Sequence, residues 1–394
     1  MNLLLAWELG GNWGHLSRDL PVLRRLQAEG HEVLYAAREQ TIAPSLCASV
    51  GIGGVPAPGG AAPRRMPRGL AGYAAILFAD GFGDAAILEA RLAGWTRLFA
   101  EHKSDVLLAD YAPAALLAAR VAGIPSVAFG SGFEIPPDVA LLPSFCGGGA
   151  QDESARRFSE ALVLFNVNNV LHKLDAKPLE RLARVFQGTR CVFTTFAELD
   201  HVTERPSGAL YAGPVQDLPG SVTASWRTTK PRALVYLRGV PPVIDEVLQA
   251  LGTVGAKVIA VLPDMDRPLR HAHADLRVIR QPVCFDGLLE SADLVIASGS
   301  GTVTTALLSG VPALVLPSSA EQAMFARRVE EAGAGMALGS GTAVTVADAI
   351  RRLLHDVAFR AAAGALAAKY AGLRMESAVQ TVIDEIHNVS SHHS

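Results

Sequence analysis

Three stretches of this sequence carry side chains whose types and spacing suit chemistry. The first follows the apolar run Leu3 to Ala6: Glu8-Leu-Gly-Gly-Asn-Trp-Gly-His15, after which Leu16 to Ala28 continues with helical spacing until Gly30. A glycine-rich turn from strand to helix, here Gly10, Gly11 and Gly14, lets ligand atoms approach the backbone and aims N–H groups at them. His15 stands at the helix start, where an imidazole either accepts a proton from a hydroxyl or caps the helix. The second is Asp110, at the end of the run Asp105 to Ala109 and ahead of Tyr111-Ala-Pro113. Its carboxylate suits it to orient His15 and stabilise an imidazolium, or to cap the helix beginning near Pro113. The third is Asp293-Leu-Val-Ile-Ala-Ser298-Gly-Ser-Gly301-Thr302, a buried strand running through a Gly/Ser loop into a helix. Such a turn presents several backbone donors and a positive dipole end to a diphosphate.

The elements around these residues form two series. Apolar runs at Leu3 to Ala6, His31 to Ala37, Asp105 to Ala109, Pro125 to Gly130 and Cys191 to Thr195 alternate with helical patterns. A second series begins with Ala233 to Leu237 and continues with Lys257 to Leu262, Leu276 to Ile279, Leu294 to Ala297 and Ala313 to Leu316. That rhythm predicts parallel sheets wrapped by helices, so the fold class is α/β, with two Rossmann-like, doubly wound domains facing a central cleft. The Pro/Gly/Ser/Thr-rich stretch Gly208 to Pro231 reads as the linker. The expected division is 1–214, 215–370, and a C-terminal helix and tail over 371–394 that returns to the N-terminal domain. Ligands of open parallel sheets sit beyond the carboxyl ends of strands, which is where all three stretches fall.

A chain of 394 residues is long enough for two such cores. Half its residues are hydrophobic, 19% are charged, and the formal charge is −3, which supplies no field for holding nucleic acid. The four cysteines, Cys47, Cys146, Cys191 and Cys284, lie far apart with no CxxC pair, so neither zinc nor a disulfide framework is expected and a reducing cytoplasm fits. The first residues lack a basic n-region and read as a strand, not a signal peptide. No stretch reaches the roughly 18 apolar residues of a membrane span. Arg64, Arg65 and Arg68 beside Leu70 to Phe78 could touch an anionic surface, so any membrane contact is peripheral at most; a solvated loop is the plainer reading.

The stretch from Asp293 on, through Ala313-Leu-Val-Leu-Pro-Ser-Ser-Ala-Glu321-Gln322 to Gly335, resembles the donor signature of the UDP-glycosyltransferase and macrolide-glycosyltransferase family, whose fold is GT-B. Gly14-His15 through Gly30-His-Glu-Val33 and Tyr211-Ala-Gly-Pro-Val215 are similar to its N-terminal and linker motifs. The resemblance implies a hexosyltransferase in which His15 is the base and Asp110 its partner. Ser300, Gly301 and Thr302, with Ser298 and Gly299 before them, would be the phosphate turn, Glu321 and Gln322 would hold the donor sugar, and Phe285 would lie against the nucleobase. Two family residues are absent: the donor-phosphate histidine falls on Ala297 and the ribose-binding glutamate on Thr305. The Ser298-Gly299 turn looks more like that of the peptidoglycan lipid-intermediate N-acetylglucosaminyltransferases. Arg238, after the run Ala233 to Leu237, either supplies a bidentate phosphate contact or pairs with Asp245 or Glu246.

The expected activity is therefore inverting, metal-independent transfer from a UDP- or dTDP-sugar, UDP foremost, to a hydroxyl of a hydrophobic small-molecule or lipid-linked acceptor. The nucleotide sugar is a co-substrate and no further cofactor is expected. Apolar residues around Leu70 to Leu98 and Val139 to Phe145 suggest a greasy acceptor pocket. A non-catalytic nucleotide-sugar-binding subunit and a nucleotide-sugar epimerase on the same fold are the alternatives. Asp264-Met-Asp266 spells a DxD without a second ligand cluster, and His172, His201, His271 and His273 read as exposed or capping residues.

Overall fold

The computed structural model describes residues 1–391 other than 12, 39, 42, 60–70, 146, 218–221, 239–242, 272, 282, 286 and 340–342, and of Trp13 and Leu46 the backbone alone. Arg64, Arg65, Arg68 and Leu70 therefore lie outside the described residues. The chain divides into two compact units, Met1–Phe196 with Val202–Asp217 and Arg374–Ser394, and Ala197–His201 with Leu218–Leu373.

In the first unit, seven parallel strands run in the order β3-β2-β1-β4-β5-β6-β7. They are β1 (Asn2–Trp7), β2 (Glu32–Ala37), β3 (Gly53–Pro56), β4 (Val106–Asp110), β5 (Ser126–Gly130), β6 (Arg190–Phe193) and β7 (Leu210–Tyr211). The helices between them are α1 (Trp13–Ala28), α2 (Ala43–Ser49), α3 (Tyr73–Leu77), α4 (Ala85–His102), α5 (Pro113–Ala122) and α6 (Ala150–Lys173). Strands β4 and β5 are buried at every position, which is why they read as unbroken apolar runs and not as alternating ones.

In the second unit, β8 (Arg232–Tyr236), β9 (Lys257–Val261), β10 (Leu276–Ile279), β11 (Leu294–Ala297), β12 (Ala313–Val315) and β13 (Gly335–Ala337) form a parallel sheet in the order β10-β9-β8-β11-β12-β13. Its helices are α7 (Ile244–Thr253), α8 (Ser300–Leu308), α9 (Ala320–Glu331), α10 (Ala343–His355) and α11 (Val357–Lys369). The last helix, α12 (Met375–Ser391), belongs to the first unit, where Ala378, Val382, Ile383 and Ile386 are fully buried in one cluster with Leu3, Leu5, Val106 and Val192.

The sequence reading differs from this fold at its margins. Strands β3, β7 and β13 went unpredicted: each has two to four residues, and two of them contain Gly or Pro, so no period can be read from them. The stretch read as linker starts inside the first unit, because β7 pairs with β6, and Val215 is buried in that unit's core. The first unit accordingly reaches Asp217, beyond the expected boundary at 214, and resumes at Arg374. No helix among the described residues is long and apolar enough to cross a membrane.

Candidate active site

An open parallel sheet forms its ligand crevice where strand order reverses, and in the first unit that reversal lies between β1 and β4. His15, in the first turn of α1, meets Asp110, the last residue of β4, with Nδ1 2.8 Å from Oδ2. Asp110 is fully buried and His15 is 8% exposed. A carboxylate only accepts, so the imidazole hydrogen is assigned to Nδ1 and Nε2 keeps its lone pair.

Gly10 is required twice beside that nitrogen. Its φ of +79° is one that L side chains rarely adopt, and a Cβ there would overlap His15 Nε2. Gly10→Ala is expected to displace the imidazole and lower kcat/KM by about 10²-fold, the scale for misplacing a reacting group by about 1 Å. Gly11→Ala, whose added carbon meets nothing within 4 Å, is expected to stay near wild type. Steady-state kinetics of the pair checks both.

Arg18 lies on the same face of α1, three residues on from His15. Its Nη2 donates to Asp110 Oδ1, and its Nη1 donates to Glu134 Oε2 at 2.9 Å. Nη2 is also 3.1 Å from His15 Nδ1. Glu134 comes from the loop after β5 and accepts the Ser131 N–H. Donor atoms of His15, Asp110 and Glu134 fall within 4.8 Å of one another, and the guanidinium bonded to both carboxylates supplies the positive charge that a metal ion would bring there. Burial works against ionisation of Asp110, but the charge of Arg18, then that of His15, outweighs it and holds the carboxyl at about 2. Asp19, also fully buried, accepts the Tyr35 hydroxyl at 2.7 Å. Burial first, and then the Asp110 charge, raises its carboxyl well above the usual range.

Aromatic rings continue from the imidazole. Trp7 stacks on His15 at 4.8 Å between centroids and Tyr111 at 6.4 Å. Tyr111 meets Tyr73 at 6.1 Å and Phe133 at 6.2 Å, and Phe133 meets Phe145 at 5.1 Å. Of the apolar stretches expected to form an acceptor pocket, Tyr73 and Phe145 join this row and are themselves buried, as are Leu88, Leu92 and Trp95 of α4.

The capping role considered for Asp110 is filled by Glu8. The N-cap of α5 is Ala112, with no side-chain cap, and Glu8 Oε2 accepts the Ala114 N–H at 2.7 Å while Trp95 Nε1 donates to Oε1. Burial pushes the Glu8 carboxyl up to about 7, against the pull of Arg91. Sequence reasoning missed Arg18, Glu134 and Glu8. The i,i+3 spacing from His15 was the available signal for Arg18, and nothing local marks Glu134.

In the second unit strand order reverses between β8 and β11. Arg238 follows β8 by two residues and is half-buried, and Asp245 is engaged by Arg267 and by the Arg270 N–H. Ser298 and Gly299 follow β11, and α8 starts at Ser300 with an extended N-cap, Gly299, and no side-chain cap. Ser298 and Thr302 are buried, whereas Ser300 and Gly301 are partly exposed. Phe285, beyond β10, packs edge-on against Tyr236 at 5.4 Å. Glu321 and Gln322 open α9 beyond β12, so these residues gather at the carboxyl edge of one sheet.

Two side chains there differ from expectation. His201, read as exposed or capping, is 6% exposed, and its Nε2 donates to Glu321 Oε1 at 2.9 Å. Gln322 completes a capping arrangement: its N–H bonds Ser319 Oγ at 3.2 Å and its Oε1 accepts the Ser318 N–H at 2.8 Å. Asp264 and Asp266 join no group of three possible metal ligands among the described residues. Concavities of about 520 Å³ beside Arg232 and Arg360 and about 640 Å³ beside Cys191 and Arg205 include neither His15 nor the Ser298 to Thr302 turn. The convergence of polar groups at the strand ends is the better guide to the site.

Comparison with known proteins agrees with this layout. Residues 245–384 match the family model described as Erythromycin biosynthesis protein CIII-like, C-terminal domain. A PGL/p-HBAD biosynthesis glycosyltransferase of Mycobacterium tuberculosis (strain ATCC 25177 / H37Ra) is 28% identical over 309 residues, covering 73% of this chain and 71% of that protein. Among solved structures, the glycosyltransferase VinC in complex with DTDP superposes with a TM-score of 0.68 at 19% identity, covering 99% of each chain. Spinosyn rhamnosyltransferase SpnG complexed with spinosyn aglycone does so with a TM-score of 0.65 at 23% identity, over 98% of this chain and 100% of that one.

Proposed function

We infer, from the premise that this chain is a glycosyltransferase of the GT-B superfamily, that it moves a sugar with inversion from a dTDP- or UDP-sugar to a hydroxyl of a hydrophobic natural-product or lipid-linked acceptor. The observation that carries this reading is the buried His15–Asp110 pair at the strand reversal of the first unit, with Nδ1 held at 2.8 Å and Nε2 left to accept. His15 Nε2 takes the proton of the acceptor hydroxyl as its oxygen attacks the anomeric carbon, and Asp110 with Arg18 fixes the ring and balances the imidazolium. The nucleoside diphosphate leaves from the opposite face. Its growing charge is met by the uncapped amides of Ser300 to Thr302 and by the Arg238 guanidinium, so no metal ion is needed. Glu321, steadied by His201, and the Nε2 amide of Gln322 hold sugar hydroxyls, and Phe285 lies against the base.

The row Tyr73, Tyr111, Phe133 and Phe145 favours an acceptor with an extended apolar body. The thymidine nucleotide in the VinC structure and the aglycone in the SpnG structure support the same substrate classes. Thermal-shift measurement with dTDP, UDP and GDP is expected to raise Tm by about 5 °C for dTDP or UDP at 100 times Kd, and Arg238→Ala is expected to weaken that nucleotide about tenfold. With donor and a phenolic or aliphatic alcohol, NMR is expected to show an inverted anomeric centre at a rate unchanged by EDTA. Failure of all three nucleotides to shift Tm would defeat the donor assignment, and a retained anomeric centre would defeat the mechanism.

A further inference from the structure

A second cluster of ligating side chains lies away from the proposed reaction centre. Glu29 follows the last residue of α1, His31 precedes β2, and His387 comes from α12, so three segments of the first unit converge there. His31 Nε2 and His387 Nε2 are 3.4 Å apart. Glu29 Oε2 is 3.9 Å from the first and 3.7 Å from the second. The two rings meet edge-on, with an interplanar angle of 64°, and the other nitrogen of the first, His31 Nδ1, lies 3.4 Å from the Met1 amino group. The other carboxylate oxygen, Oε1, accepts Arg25 Nε at 2.7 Å, which orients Oε2 toward the histidines.

We propose that Glu29, His31 and His387 form a binding site for a zinc-class divalent cation. Three ligands at the corners of a tetrahedron with bonds of about 2.0–2.1 Å stand about 3.3 Å from one another. The three observed separations reach that triangle by shifts of a few tenths of an ångström at partly exposed side chains, which are 24%, 14% and 45% exposed for Glu29, His31 and His387. Two imidazole nitrogens and one carboxylate oxygen select Zn²⁺, Co²⁺ or Ni²⁺ over Mg²⁺ or Ca²⁺, and water completes the fourth position. His15 and Glu29 are at opposite ends of α1, roughly 20 Å apart along its axis. The ion therefore takes no part in sugar transfer; it ties the returning helix α12 to the helix that carries the base.

The test is calorimetric titration of ZnCl₂, and separately MgCl₂, into EDTA-treated full-length protein. Wild type, His31→Ala, His387→Ala and Glu29→Gln are compared, each also in a background with the tail histidines His392 and His393 replaced. One Zn²⁺ per chain, a Tm raised by several degrees with Zn²⁺ but not Mg²⁺, and at least 100-fold weaker binding in the histidine variants are expected. With Co²⁺ a visible absorption band of tetrahedral intensity is expected, and it is lost in His387→Ala. Wild type with no Zn²⁺ binding tighter than about 100 μM, or variants that bind as tightly as wild type, overturns the assignment. Should an alanine variant fail to fold, Glu29→Gln, which keeps the side chain's shape and removes its charge, carries the comparison and is expected to bind Zn²⁺ at least tenfold more weakly. None of these readings uses transferase activity, so the outcome is independent of the proposed reaction.

Discussion

His15→Ala is expected to lower kcat by about 10³-fold, within the range that a positioned general base contributes. The loss should fall on kcat and leave nucleoside diphosphate affinity within about twofold, because the groups proposed to meet the phosphates belong to the second unit and the proposed base to the first. The His15 ring stacks on Trp7 at 4.8 Å, so truncation also leaves a hole; Tm measured beside kcat separates lost stability from lost chemistry. A variant that kept more than a tenth of wild-type kcat would remove the imidazole from the proton transfer.

Two buried aspartates, Asp110 bonded to His15 and Asp19 one turn along α1 from it, give the second large effect, because replacing each by its neutral amide has unlike consequences. Asp110→Asn is expected to lower kcat by about 10³-fold, since an amide no longer balances the imidazolium and can turn its NH₂ toward Nδ1. With the wild-type carboxyl held at about 2, Asp110 is ionised throughout the working range, and the loss should be the same at every pH between about 5 and 9. Asp19→Asn is expected to stay within about threefold of wild-type kcat, because burial already favours the uncharged form of that carboxyl and its hydroxyl partner Tyr35 can be kept.

Stability should separate the same two variants by sign. The native state keeps a proton on Asp19 that the unfolded chain releases above about pH 4, so wild type loses stability as pH rises from there, and Asp19→Asn should remove that slope. For Asp110 the native state holds fewer protons than the unfolded chain. Its contribution is therefore complete above about pH 4 and is lost as pH falls toward about 2. Denaturant titrations at pH 3, 5 and 8 on both variants test each direction.

Much of the scaffold was legible because strands buried on both faces, such as β4 and β5, write themselves as unbroken apolar runs ended by Gly, Asp or Pro. The same physics hides β7, with two residues, and β3, with Gly-Gly-Val-Pro, which owe their place to a neighbouring strand and not to their own pattern. In the site, His15 and Asp110 were readable because each ends a strong local signal: a glycine-rich turn in one case, a buried strand in the other. The pairs Arg18–Glu134 and His201–Glu321 were not, since each joins residues more than 100 positions apart and one partner of each, Glu134 and His201, sits in no motif. His201 illustrates the failure most directly. A lone histidine without neighbouring ligands reads as a surface residue, whereas its pairing with Glu321 and its ring contact with Phe325 come from a distant stretch of the chain.

The helix Met375–Ser391 has a consequence for how the chain is made. Val382, Ile383 and Ile386 fill the core of the first unit, and burying three such side chains contributes roughly 5–9 kcal/mol, as much as the whole net stability of many domains. A ribosome delivers that strip only after the second unit. The unit synthesised first thus waits for a helix encoded beyond the second unit before it can finish folding, while the intervening unit has every residue of its own sheet in hand earlier. Maturation of the half that carries His15 is thereby tied to synthesis of the second unit, and a chain stopped before Met375 releases its front part with an uncovered greasy seam.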